Sequence, residues 1–152
     1  MPSPPAGTVP LRIIIEHPLA NVALALQLGK AGLEPPRATS PTHVVFDFSV
    51  RLGMPQADGT PNFLGPFTQG PAASRFVYIC VGRRAGQAAS TWDGRVKVPL
   101  SGITQAQVQA LLAASGKRLA VRVPGRNSKG GPTLATVRLP ADPWKLMADT
   151  LD

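Results

Sequence analysis

The sequence predicts a mainly β domain: an antiparallel β-sandwich or partly open barrel of about seven to eight strands with one short helix. Three observations carry this. Apolar and polar residues alternate with period two in most of the apolar segments. Pro- and Gly-rich connections recur at 29–42, 51–74, 83–91 and 124–132. Only one segment carries a full set of helix signals. No internal repeat and no composition break divides the 152 residues, which suit one domain able to bury a core without disulfides or metal.

The first ten residues, MPSPPAGTVP, lack the charged and apolar regions of a secretory signal and read as a short disordered arm. The domain then spans 11–152. Its first strand is LRIIIE, with Leu11, Ile13 and Ile15 on one face and Arg12 and Glu16 on the other. In NVALALQLG, Val22, Leu24, Leu26 and Leu28 oppose Asn21, Ala23, Ala25 and Gln27. In HVVFDFSV, Val44, Phe46, Phe48 and Val50 oppose His43, Val45, Asp47 and Ser49. Each is a half-buried strand, because successive side chains point to opposite faces. The run RFVYICVG is apolar on both faces, which suits a central strand.

Two later strands carry charge outward. Val96 and Val98 face in while Arg95 and Lys97 face out; Leu119, Val121 and Val123 face in while Arg118 and Arg122 face out. A last strand, TLATVRL, follows the turn signals of 127–132, so 118–139 reads as a hairpin. The helix is expected at 104–115. Thr104 and Gln107 form a capping box, and Ile103 and Val108 a hydrophobic staple around it. Val108, Leu111 and Leu112 make its apolar stripe, and Gly116 stops it in the left-handed conformation. Asp142-Pro143 before Trp144, Leu146 and Met147 favours a short closing helix.

The net charge of +8 is unevenly placed. Residues 1–74 balance, residues 75–138 set eleven bases against Asp93 alone, and the tail is acidic. Such a half attracts polyanions at long range. The single Cys80 excludes an internal disulfide and fits a reducing compartment. No apolar run approaches the roughly 18–20 residues that span a bilayer, so a cytoplasmic protein is expected, with no membrane partner.

The densest segment is 61–82, PNFLGPFTQGPAASRFVYICVG, which holds four of the eight aromatic residues. In one reading Phe63 and Phe67 line a pocket mouth for a small or extended ligand, with Gln69 or Asn62 supplying polar contacts, and Arg75 at the exit binds an anion or else bonds loop carbonyls. In the simpler one both rings fold down and plug an end of the sandwich. The basic half also divides. Arg95, Lys97, Arg118 and Arg122 form a stripe that follows a phosphate backbone if their strands are neighbours, and otherwise a solvated face. Only Trp92 is near them in sequence for base stacking, which argues against a single-strand platform.

Catalytic signals are few. GRNSKGG lacks the Gly-Lys-Ser/Thr and the following helix of a phosphate loop and reads as a turn. No nucleophile elbow and no metal-ligand spacing occurs, and no cofactor is implied. Cys80, within an apolar run, reads as inert packing. Glu16 and Asp47 would pair only if their strands adjoin.

The order Leu26-Gln27-x-Gly29, Phe63-x-Gly65-Pro66-x-x-Gln69-Gly70-Pro71, Arg75-Phe76-x-Tyr78, Arg95-x-Lys97-x-x-Leu100 and Gly130-x-Pro132 resembles a bacterial family of uncharacterised single-domain proteins, a domain of unknown function. The resemblance spans roughly residues 11–144 and implies a compact stand-alone domain, without an activity or site. The expectation is therefore a non-enzymatic β-domain that binds a ligand beside 61–75. The alternative is a nucleic-acid-binding accessory protein acting through strands 95–98 and 118–123.

Overall fold

The computed structural model describes residues 8–17, 22–27, 33–40, 42–54, 57, 59–65, 76–83, 94–100, 102–114, 116–126 and 143–148. Its elements are β1 (Thr8–Glu16), β2 (Val22–Gln27), β3 (Leu33–Glu34), β4 (Ala38–Thr39), β5 (His43–Leu52), β6 (Phe63–Gly65), β7 (Phe76–Arg83), β8 (Gly94–Pro99), α1 (Gln105–Ala113), β9 (Lys117–Pro124) and β10 (Lys145–Ala148). They form two sheets. The first has the order β10-β9-β1-β5-β4, with β6 also paired to β5; the second has the order β3-β2-β7-β8. Among the described residues neither closes into a barrel.

Alternation accounts for the layering. Leu11, Ile13 and Ile15 of β1, Val44, Phe46, Phe48 and Val50 of β5, and Leu119, Val121 and Val123 of β9 share one buried cluster. Leu26 of β2, Val77, Ile79 and Val81 of β7, and Val96 and Val98 of β8 belong to the same cluster. Two sheets thus pack their apolar faces on a single core, and every intervening residue of these strands projects from one of two opposite outer faces. β7 lies between β2 and β8, the central position that its two apolar faces predict.

The sheets depart from expectation at three places. The first strand starts at Thr8, paired with Arg51, inside the segment expected to be a disordered arm. β1 and β9 pair in parallel, Leu11 opposite Leu119, so the first sheet is mixed rather than antiparallel. A parallel neighbour needs a long crossover, which the second sheet and α1 supply between these two strands. The closing helix is instead the strand β10, antiparallel to β9. The Asp-Pro signal is local, whereas the open edge of β9 offers unpaired backbone groups to any extended segment beside it. The expected strand 133–139 lies outside the described residues.

The capping signals translate directly. Thr104 Oγ1 accepts from the Gln107 N–H at 3.1 Å, and Gln107 Oε1 accepts from the Thr104 N–H at 3.0 Å. Ile103 and Val108 are both buried in the core. The helix ends at Ala113, two residues short of the expected 115, since Ala114 is already extended, and Gly116 takes positive φ. Gln107 does a second job. Its amide nitrogen donates to the Trp144 carbonyl, tying the helix start to the segment leading into β10. Trp144 itself is fully buried.

Gly102 is where α1 and that segment meet. Its φ is +99°, and a Cβ there would stand 3.1 Å from Pro143 Cδ. Gly116, at φ +69°, has open space around it. Gly102→Ala should therefore cost about 1–3 kcal/mol through backbone strain, with the clash added. Gly116→Ala should cost less, and urea midpoints of the two variants measured side by side give the order. A Gly102→Ala protein as stable as Gly116→Ala would contradict this account of the junction.

Candidate functional site

The sandwich divides the charged residues between its outer faces, and the two faces differ in chemistry. On the first sheet Arg12 stands opposite Asp47 in the β1–β5 register. Arg12 Nε donates to Asp47 Oδ1 at 2.7 Å and Nη2 to Oδ2 at 3.0 Å, a bidentate pair. Arg37, whose N–H bonds to Val45, also donates to Oδ2. Arg118 Nε lies 3.5 Å from the same oxygen, and its Nη1 donates to the Leu11 carbonyl at 3.2 Å. Arg12 is 1% exposed and the Asp47 side chain 8%. Ala120, beside Arg12 in the parallel register, contributes only a methyl group there. Arg12 Nη1 also reaches the Ala148 carbonyl at 3.4 Å, so one side chain joins β1, β5 and β10.

Burial opposes ionisation of Asp47, but hydrogen bonds from Arg12 and Arg37 and the charge of Arg118 outweigh it and hold the carboxyl below its ordinary value. A carboxylate held this way is a structural anion rather than a proton donor. Glu16 is on the same face but stands opposite His43, four residues along β1 from Arg12. At about 3.3 Å per residue that is about 13 Å from the Asp47 position, too far for a cooperating acid–base pair. Glu16 is held instead by Arg122 at 3.3 Å.

Beside Glu16, the His17 and His43 rings lie 6.3 Å apart. His17 has φ +53°, an unusual value for a non-glycine residue, and its backbone is fixed at both ends. Its N–H donates to the Thr42 carbonyl, and its own carbonyl accepts from Arg126 Nε at 3.0 Å. Among the described residues no group of three or more His, Cys, Asp or Glu is placed to hold a metal.

The second sheet presents a different surface. Phe76, Tyr78 and Cys80 of β7 project outward, because Val77, Ile79 and Val81 take the core. The Phe76 and Tyr78 rings meet edge to face with centroids 5.0 Å apart. Arg95 and Lys97 of β8 lie over them. The Arg95 guanidinium is 4.2 Å from the Tyr78 centroid, and the Lys97 ammonium is 3.9 Å from that of Phe76. Gln27, the register partner of Tyr78 on β2, accepts through Oε1 from Arg95 Nη1 at 3.5 Å and from the Cys80 thiol at 3.7 Å. Burial pushes the Cys80 thiol up despite the opposing pull of Arg95, which keeps it neutral as a weak donor.

The residues expected to act together are thus sorted. Strands β8 and β9 are not neighbours, so Arg95 and Lys97 leave one face of the sandwich while Arg118 and Arg122 leave the other. The reason is geometric: both strands turn their valines to the common core from opposite sides. Phe63 is a core residue, 5% exposed, paired with Leu52 through β6, and does not line a surface. Phe67, Gln69, Arg75 and Trp92 lie outside the described residues. The feature that sequence reasoning missed is the pairing of Phe76 and Tyr78 with the basic strand. Its signal was present: two aromatics two residues apart in an apolar run must share a face, and Arg95 and Lys97 show the same spacing.

The fold and its two faces define a mainly β, two-sheet domain with one face tied by buried ion pairs and one lined by aromatic rings and cations. Among the described residues no helix is long and apolar enough to cross a membrane. The model of a family described as "Family of unknown function (DUF5990)" matches residues 9–147, and the chain belongs to that family. No curated protein and no solved structure matches it.

Asp47→Asn should cost about 3–5 kcal/mol, because it leaves the buried Arg12 without its counter-charge. The pH dependence has a definite sign. The folded-state pKa of Asp47 is lowered, so its stabilisation is complete above the unfolded value near 3.8 and is lost as pH falls below it. Denaturant titrations should show the gap between native and Asp47→Asn proteins narrowing below that pH. A gap that stays constant down to pH 2 would refute the linkage.

Proposed function

We propose that this chain is a non-enzymatic binding domain for nucleic acid, acting through the outer face of the second sheet. The observation that carries the reading is the placement of Phe76 and Tyr78 under Lys97 and Arg95, with Gln27 alongside. Cations on adjacent strand positions suit a phosphate backbone, and aromatic rings between them suit bases. The chain's net charge of +8 adds a long-range attraction for a polyanion. Arg118 plays no part in the proposal: it is committed to Asp47 and Leu11 on the opposite face. Of the residues of the other reading, a ligand beside 61–75, the described one, Phe63, belongs to the core.

Fluorescence anisotropy with a labelled oligonucleotide tests the reading. Binding should weaken steeply with salt. The double variant Arg95→Gln/Lys97→Gln should bind roughly tenfold or more weakly, and its log–log salt slope on a single strand should fall by about 1.4, the loss of two phosphate contacts. No binding at about 50 mM salt, or an unchanged double variant, sinks the proposal.

A further inference from the structure

Resting on that reading, we infer that the face selects single-stranded over duplex nucleic acid. Bases take the places that Lys97 and Arg95 now occupy over Phe76 and Tyr78, and the displaced cations move to the flanking phosphates. Three features of the face lead here.

The first is spacing. The Phe76 and Tyr78 ring centroids are 5.0 Å apart and their planes are inclined at 76°. Stacked bases in a duplex follow one another at about 3.4 Å. One base per ring therefore requires a strand whose bases have come apart and turned out of the parallel stack of a duplex.

The second is occupancy. The ring face that would receive a base carries a cation: Lys97 at 3.9 Å from the Phe76 centroid and Arg95 at 4.2 Å from the Tyr78 centroid. Stacking of a base on an aromatic ring is the stronger contact, since a cation–π pair near solvent is weakened by hydration of the cation. Arg95 is exposed and reaches its ring on a long, flexible stem. Exchange keeps each group satisfied, because base replaces cation on the ring and phosphate replaces ring at the cation.

The third is the second anchor of Arg95. Its Nη1 donates to Gln27 Oε1 at 3.5 Å, a long and weak bond. When Arg95 leaves Tyr78 it leaves this oxygen too. Gln27, opposite Tyr78 in register, then offers a carboxamide to the edge of the base stacked there. A duplex can use none of this, since its base faces are closed within the stack, and it would meet only the two cations.

The test uses the full chain with three probes of equal length: an oligothymidylate strand, the same strand without bases, and a mixed-sequence duplex. At about 50 mM salt the native protein should bind the thymidylate strand at least roughly tenfold more tightly than either other probe. Phe76→Leu/Tyr78→Leu should bring thymidylate binding down to the level of the base-free strand while leaving the salt slope unchanged, since phosphates are still contacted. Tyr78→Phe, which keeps the ring, should bind as the native protein does and separates loss of stacking from loss of fold. A strand carrying 2-aminopurine should be quenched on binding to the native protein and not to the Leu variant. Equal affinity for all three probes, or native-like binding by the Leu variant, overturns the inference and leaves the nucleic-acid reading standing. No binding of any probe overturns both.

Discussion

The first sheet is organised around one buried interaction, the bidentate pair of Arg12 and Asp47. A guanidinium that is almost wholly out of water must be met by a carboxylate and by carbonyls, or the sheet around it would be unstable. Meeting that demand fixes several things together. β1 and β5 must pair in the register that sets Arg12 against Asp47. A shift of one residue would move the entire apolar set of either strand to the wrong face. Arg37 and Arg118 are drawn toward the same carboxylate, and Ala148 of β10 supplies a carbonyl from the far edge. The pair adds little net stability by itself, but removing either half is costly, so it acts mainly as a register lock.

That commitment of charge separates the two faces. Three arginines on the first sheet are committed to structure, and Arg122 of the same face is paired with Glu16. On the second sheet no described carboxylate competes for Arg95 and Lys97 at the positions that the β7–β8 register brings beside them. Their described contacts are aromatic rings and an amide oxygen. Cations held by rings keep their charge and can be redirected to phosphate at little cost. The asymmetry in ion pairing therefore distinguishes a face whose cations hold carboxylates from one whose cations lie on aromatic rings.

Much of the architecture was legible in the sequence because period-two alternation is a local property. The sides of Ile13, Phe46, Val96 and Val121 follow from their immediate neighbours, as does the capping box of Thr104 and Gln107. The errors came where a local signal competed with a distant one. Asp142-Pro143 suggests a helix start, but the edge of β9 draws 145–148 into a strand. Thr8 looked like part of a tail, yet Arg51 pairs with it. Arg95 and Arg118 have the same alternating surroundings, and nothing local says that one neighbours Tyr78 and the other Asp47.

The sequence by itself determined which side chains enter the core, where the helix starts and that the basic residues point outward, since strand pleat and helix caps are set by neighbours a few residues apart. Only the tertiary structure decided which strands adjoin, and with that the meaning of every outward residue. Sheet order depends on pairings between segments tens of residues apart, and the parallel union of β1 with β9 and the placement of β7 beside β2 leave no short-range trace. Those pairings divided the outward bases between two unlike faces: Arg118 became a clamp on Asp47, and Arg95 and Lys97 became partners of Phe76 and Tyr78.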